Sequence, residues 1–195
     1  IYEIHDLWPL SPMLLGGYSA HHPFIRIMQK AEDFAYTHAD AVVSILPRVH
    51  EHVQAHGLPL EKLHIVENGI WLEDWKQPEK APETHTSAII QQKKAGNTCV
   101  GYTGAHGVAN VLSKLVEAAH LLKNKPFHFF LVGDGTEKAT LVQQAKSLGL
   151  KNISFLNPIP KTAIPDLLPY FDIAYIGFRD HDLYRFGIGT NKIFD

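Results

Sequence analysis

The sequence predicts an α/β protein made of two Rossmann-like halves, each built on a parallel sheet and both truncated. Three observations predict it: short β-branched runs alternate with helix-spaced segments, the alternation occurs twice, and a stretch of low apolar density separates the two occurrences. Parallel neighbours need a crossover of a dozen or more residues, so strand–helix–strand order at this spacing implies a parallel sheet flanked by helices.

Residues Ile1 to Ile4 alternate as a strand and run into His5-Asp6-Leu7-Trp8-Pro9, where the proline stops regular structure; a loop continues through Gly16-Gly17. From Pro23 to His38 the apolar residues Phe24, Ile27, Met28, Ala31, Phe34 and Ala35 recur at three- and four-residue spacing, which predicts a helix burying that face. Proline in the first turn suits its start. Ala41 to Leu46 reads as a buried parallel strand, Pro47 to His56 as a helix stopped by Gly57, and Leu63 to Val66 as a further strand. Apolar density then falls, with Pro78, Pro82 and the run Gln91-Gln92-Lys93-Lys94. The second alternation comprises strand Cys99 to Tyr102, helix Ala109 to Leu122, strand His128 to Val132, helix Glu137 to Leu148 and strand Ile153 to Leu156. A short helix from Lys161 to Leu168, a strand from Ile173 to Gly177 and a helix start at Thr190 complete it.

Residues 1–78 are therefore expected to be the C-terminal part of a first domain, 79–97 an interdomain linker, and 98–195 the N-terminal part of a second domain. The chain has no initiator Met, opens directly in a strand and stops at Asp195 within an expected helix start, so both ends are expected to be cut.

Composition narrows the function. A hydrophobic content of 45% in 195 residues sustains a real core. The net charge of −2 and pI near 6.7 argue against the broad basic surface that phosphate-backbone binding requires, so no nucleic-acid partner is expected. The single Cys99 cannot form an internal disulfide, which fits a reducing compartment, and its apolar surroundings predict a buried, inert thiol. No apolar run reaches the ~18 residues of a membrane span, and no secretory signal opens the chain.

Ligands of open parallel sheets gather beyond the carboxyl ends of the strands. Gly101-Tyr102-Thr103-Gly104-Ala105-His106-Gly107 leaves one strand and leads into a helix, where glycines admit a phosphate to the backbone and the helix N-terminus holds the anion. A structural turn without ligand is the alternative. The loop is neither G-x-G-x-x-G nor a P-loop. Val132-Gly133-Asp134-Gly135 occupies the same position after the next strand, and Asp-Gly is also a common turn. In Gly187-Ile188-Gly189-Thr190-Asn191-Lys192, Thr190 suits a helix cap and Lys192 suits a phosphate. His5-Asp6 offers a donor to a sugar hydroxyl or phosphate oxygen, with Asp6 orienting it or an acceptor hydroxyl. His52 and His56 lie one helical turn apart, a spacing that suits zinc, but H-E-x-x-H is absent and two ligands do not close a site; no metal is assigned.

Taken in order, these segments resemble the family-4 retaining glycosyltransferases of GT-B architecture, the group 1 glycosyltransferases of bacterial surface-polysaccharide assembly. The resemblance rests on His5-Asp6-Leu7-Trp8-Pro9, Ala39-Asp40-Ala41-Val42-Val43-Ser44, Asn68-Gly69-Ile70, Gly101-Tyr102-Thr103-Gly104, Val132-Gly133-Asp134-Gly135, Phe155-Leu156-Asn157 and Asn191-Lys192-Ile193-Phe194-Asp195. It implies acceptor contacts mainly from the first domain and nucleotide-sugar contacts mainly from the second. His5 matches the family's active-site histidine, beside Asp6. Gly104, His106 and Gly107 would lie against the diphosphate, Gly133 and Gly135 would let the nucleoside approach, the backbone near Pro160 would flank the base, and Lys192 would meet the diphosphate. Asn191 and Asp195 fall in the same donor motif, Asp195 about where the family has a ribose-binding glutamate and Gly187 where it has another near the donor sugar. The family's basic pair is missing, with Asn110 near one of its positions.

The implied activity is retaining transfer of a sugar from a nucleotide-sugar, with UDP expected as the nucleotide, to a saccharide or lipid-linked acceptor, without cofactor or metal. The whole enzyme is expected in the cytoplasm, working at the inner membrane face by peripheral contact if its acceptor is lipid-linked, and the present chain is expected to be inactive alone. Two other readings stand beside it: a nucleotide-sugar 2-epimerase of the same fold, and a non-catalytic nucleotide-sugar-binding module.

Overall fold

The computed structural model describes residues 1–190 and Lys192. They form two compact units: Ile1–Ile70 with the described residues from Asp180 onward, and Trp71–Arg179.

The first unit carries β1 (Tyr2–Ile4), α1 (Leu10–Gly16), α2 (Pro23–His38), β2 (Val42–Ser44), α3 (His50–Ala55) and β3 (Leu63–Ile65). Its three strands are parallel in the order β1-β2-β3, with Tyr2 opposite Val42 and Ser44 opposite Ile65. Ile4, Leu7, Tyr36, Val42, Val49, Val53 and Leu58 fill the core. Leu183 and Phe186, far along the chain, complete it, and Arg48 N–H donates to the Phe186 carbonyl at 2.9 Å.

Helix α2 does not bury the face expected of it. Ile25, Glu32 and Tyr36 are buried, a stripe spaced by seven and four residues, whereas Phe24, Ile27 and Phe34 are 43%, 67% and 62% exposed. The buried stripe contains a carboxylate, which counting apolar residues alone does not reveal. Glu32 tolerates burial because Tyr36 Oη–H donates to Oε1 at 2.9 Å and Gln29 Nε2–H to Oε2 at 2.8 Å.

The second unit carries α4 (Leu72–Lys76), α5 (Glu83–Lys94), β4 (Thr98–Thr103), α6 (Leu112–Leu121), β5 (Phe127–Val132), α7 (Lys138–Ser147), β6 (Ile153–Leu156), α8 (Ile164–Leu167) and β7 (Ile173–Ala174). Its four parallel strands run in the order β6-β5-β4-β7. Side chains on β4 and β5 alternate between two cores, as the twofold strand period dictates. Val100, Tyr102, Phe129 and Leu131 pack with Leu115, Val116, Leu141 and Ala145 of α6 and α7 on one face. Cys99, Phe130 and Val132 pack with Ile89 of α5, Leu167 and Phe171 on the other. The sheet is doubly wound.

The segment 79–97, expected as a linker, contains the twelve-residue helix α5, and Ile89 is wholly buried. Asp166 fixes its approach, accepting from Lys80 Nζ at 2.8 Å and Ala81 N–H at 3.0 Å. Asp172 accepts from Cys99 N–H at 2.7 Å and pairs with Lys93 at 2.8 Å. These hydrogen bonds, first to the lysines and then to the backbone, hold both carboxyls below their ordinary range. The low apolar count between Gln77 and Asn97 reflects a helix with one narrow buried stripe, His85 and Ile89, not an unstructured connection.

Candidate functional site

Strands β4 and β5 end side by side, and their loops meet backbone to backbone. Gly104 N–H donates to the Val132 carbonyl at 2.9 Å, and Gly133 N–H to the Leu156 carbonyl at 3.2 Å. A β-carbon on Gly133 would strike the Gly104 carbonyl oxygen, and one on Gly135 would lie 2.6 Å from the His106 carbonyl oxygen. Both glycines hold positive φ, +147° and +153°, so sterics and backbone conformation exclude side chains there together.

His106 N–H donates to the Asp134 carbonyl at 2.7 Å, and the His106 carbonyl accepts from Glu137 N–H at 2.9 Å. The Lys138 ammonium donates to the Gly133 carbonyl at 2.7 Å. The Tyr102 phenol donates to the Ala105 carbonyl at 2.7 Å, which also accepts from Asn110 Nδ2–H at 2.9 Å. Burial, aided by Tyr175, pushes the Tyr102 phenol up to about 12, so it remains a neutral donor.

Above this floor lies a cleft of about 200 Å³ lined by Thr103, Gly104, Ala105, Val132, Gly133, Asp134, Pro158, Ile159 and Ile164. A second recess of about 100 Å³ brings together Gly107, Val108, Val111, Leu112, Ser113, Glu137, Leu141 and Arg179. The sheet order places β7 on the opposite side of β4 from β5 and β6. Successive connections therefore diverge at β4, the switch point where open parallel sheets bind ligands.

Gly104, Gly133, Gly135 and Pro160 are thus gathered in one unit, with Gly107 at the neighbouring recess. Pro160 sits in the same β6 exit loop as Pro158 and Ile159, and its carbonyl accepts from Ala163 N–H at 3.0 Å. His106 departs from expectation: its side chain is fully buried, with its ring 6.0 Å from that of Tyr102 and 6.5 Å from Phe155. It is not among the residues that line the cleft, and its Nε2 lies 3.3 Å from where a β-carbon on Gly133 would stand. The expected helix from Ala109 also differs. A 3-10 turn, Val108–Asn110, precedes Val111 at φ +50°, and α6 begins only at Leu112. Left-handed valine is strained, and it displaces the helix N-terminus from the glycines by a further turn of chain.

His5 and Asp6 lie in the first unit. His5 Nε2 meets Glu3 Oε2 at 3.1 Å on the exposed edge. Asp6 does not orient it: Asp6 Oδ1 accepts from Leu7 N–H at 2.9 Å and Ser11 Oγ–H at 2.6 Å, and so is engaged in closing the turn into α1. Lys192 also belongs to the first unit, where its N–H donates to Thr190 Oγ1 at 3.4 Å; the helix that Thr190 is expected to cap falls mainly outside the described residues. Asn191 and Asp195 lie outside the described residues. Sequence reasoning missed Glu3, although residues two apart on a strand share a face. It also missed Arg179 and the apolar wall of Pro158, Ile159 and Ile164. The wall had a signal, since Asn157-Pro158-Ile159-Pro160 follows a strand as the other loops do.

The fold defines the class: an α/β protein built on Rossmann-like parallel sheets. Residues 89–178 match the model of the family described as glycosyl transferases group 1. A curated relative, named "Putative colanic acid biosynthesis glycosyl transferase WcaI", from Escherichia coli (strain K12), is 29% identical over 118 residues, covering 58% of this chain and 29% of its own. A solved structure of Anabaena Alr3699/HepE in complex with UDP and glucose superposes with a TM-score of 0.63 at 23% identity, covering 91% of this chain and 46% of that one. WaaG, a glycosyltransferase involved in lipopolysaccharide biosynthesis, gives 0.63 at 15% identity, covering 91% and 50%. The structural matches show the fold, and the family match covers somewhat less than half of the chain. The chain spans 29% of the length of the curated relative and about half that of the structures.

Proposed function

We propose that this chain supplies the donor-binding elements of a glycosyltransferase that moves a sugar from a UDP-sugar to a saccharide or lipid-linked acceptor, with retention, in polysaccharide biosynthesis. The observation that carries it is the backbone-to-backbone meeting of the two loops at the carboxyl ends of β4 and β5, where Gly133 and Gly135 admit no β-carbon. Such a floor lets a phosphate or ribose approach the peptide N–H groups closely. The apolar wall of Pro158, Ile159 and Ile164 suits the flat face of a base. The solved Alr3699/HepE structure with UDP and glucose supports the choice of nucleotide.

In this reading the acceptor hydroxyl attacks on the face that the diphosphate leaves, and the departing phosphate oxygen takes its proton. Peptide donors and Lys192 offset the leaving charge, without a metal, while His5 positions the transferred sugar. The working place is the cytoplasm, at the inner membrane face when the acceptor is lipid-linked. Among the described residues no helix is long and apolar enough to cross a membrane.

The test is calorimetric titration of the folded chain with UDP, GDP and their sugar nucleotides, with and without chelator, against Lys192→Ala. Chelator-insensitive UDP binding, weakened by the substitution, is expected. No binding of any nucleotide by the folded chain would overturn the donor-site assignment. This chain alone is expected to show no turnover.

A further inference from the structure

Helices α2 and α3 meet in the first unit through polar side chains. His52 and His56 project from α3 and its C-terminal cap, one turn apart. Glu32 faces them from α2, with His52 Nε2 2.9 Å from Glu32 Oε1. One ligand atom from each of Glu32, His52 and His56 lies within 4.8 Å of the others. The Glu32 side chain is 2% exposed and that of His52 10%, so this cluster is not a chance gathering of surface charge. The Phe186 ring packs edge-on against His52 at 5.6 Å and restrains its orientation.

The surrounding hydrogen bonds fix the tautomer of His56. Gln29 Nε2 lies 2.8 Å from Glu32 Oε2, Asp33 Oδ1 and His56 Nδ1, but an amide nitrogen has only two hydrogens for these three neighbours. The two carboxylates are the stronger acceptors. His56 Nδ1–H then donates to Asp33 Oδ1 at 2.9 Å, leaving Nε2 with its lone pair. A carboxylate behind a histidine, holding the remote nitrogen available, is the support that metal-binding imidazoles use.

We propose that Glu32, His52 and His56 form a zinc site that ties α2 to α3, with Asp33 as the positioning residue for His56 and a fourth position left to water. Two imidazoles and a carboxylate make a donor set suited to zinc, whereas calcium and magnesium favour oxygen alone. The His52–Glu32 contact needs to open only from 2.9 Å to about 3.3 Å, the separation of two ligands roughly 2.0–2.1 Å from a tetrahedral ion. The cluster belongs to the first unit, and the donor cleft to the second. The sequence displays the histidine pair, but the third ligand lies twenty residues upstream on another helix.

The chelator-stripped chain is titrated with zinc sulfate by calorimetry, and with cobalt for the visible spectrum of a tetrahedral ion. One saturable site is expected, with a rise in melting temperature. His56→Gln and His52→Gln should each abolish it, and Asp33→Asn should weaken it by about 10–100-fold. With thirteen histidines in the chain, the double substitution His21→Gln and His22→Gln is the control and should leave it intact. If His52→Gln fails to fold by circular dichroism, the more exposed His56→Gln decides. Absence of a one-to-one site in the folded chain, or a site unchanged by His56→Gln, overturns the proposal.

Discussion

The Lys138 ammonium lies 2.7 Å from the carbonyl oxygen of Gly133, reaching back from the first residue of α7 to the turn that forms the cleft floor. A charge-assisted bond of this kind contributes about 1.5–3 kcal/mol. Lys138→Met is expected to lower unfolding free energy by that amount in urea and to weaken UDP binding, because the turn that presents the peptide groups is no longer held. Unchanged stability would show that the bond does not anchor the turn.

Two glycines at positive φ separate conformational cost from steric cost. At Gly149, with φ +63°, a β-carbon would meet only open space, whereas at Gly133 it would meet the Gly104 carbonyl. Gly149→Ala is expected to cost about 1–2 kcal/mol, the left-handed penalty alone. Gly133→Ala should exceed it by at least about 2 kcal/mol, since two peptide backbones must part. Chemical denaturation of both variants distinguishes the two effects.

On α2, Ile25→Ala is expected to cost about 2–4 kcal/mol as a core truncation, since Ile25 is 2% exposed. Ile27→Ala, two residues on, should fall within about 0.5 kcal/mol of the parent. Urea midpoints would reverse in order if the apolar periodicity, and not the observed stripe, set the packing.

Burial lowers the His128 imidazole from its ordinary range, with Ser154 Oγ 2.8 Å from Nε2. The unfolded chain takes up this proton near pH 6.5 and the folded chain only at lower pH, so the unfolded state binds more protons in between. The contribution is fully present above about 6.5 and is lost as pH falls from there toward the folded value. His128→Gln should therefore show a shallower loss of stability than the parent between about pH 7 and pH 5. Equal slopes would mean that His128 is already solvated in the fold.

The parts legible in sequence are those whose signal is local. The run His128 to Val132 is apolar on both faces because both faces are covered, and it forms β5 with one residue added. The two glycine loops are found by following strands to their ends. The rest depends on partners remote in the chain. Glu32 is buried only because Tyr36, Gln29 and His52 surround it, so the apolar periodicity of α2 points to the wrong face. Leu183 and Phe186 return to the first core from far along the chain, which no composition shift marks. His106 reads as a ligand because it lies in a phosphate-type loop, but only the packing of Tyr102 and Phe155 shows that its ring faces inward.

The meeting of the β4 and β5 loops has a thermodynamic consequence. Their spacing is set by the thickness of two peptide chains and by their own hydrogen bonds, so the central part of the floor has no rotamers to freeze when a ligand arrives. Ordering a flexible side chain on binding costs about 0.5–1.5 kcal/mol, and glycine has none to order. Affinity at this floor is limited by the freedom that the ligand surrenders, and a more rigid ligand of the same shape gains there in full.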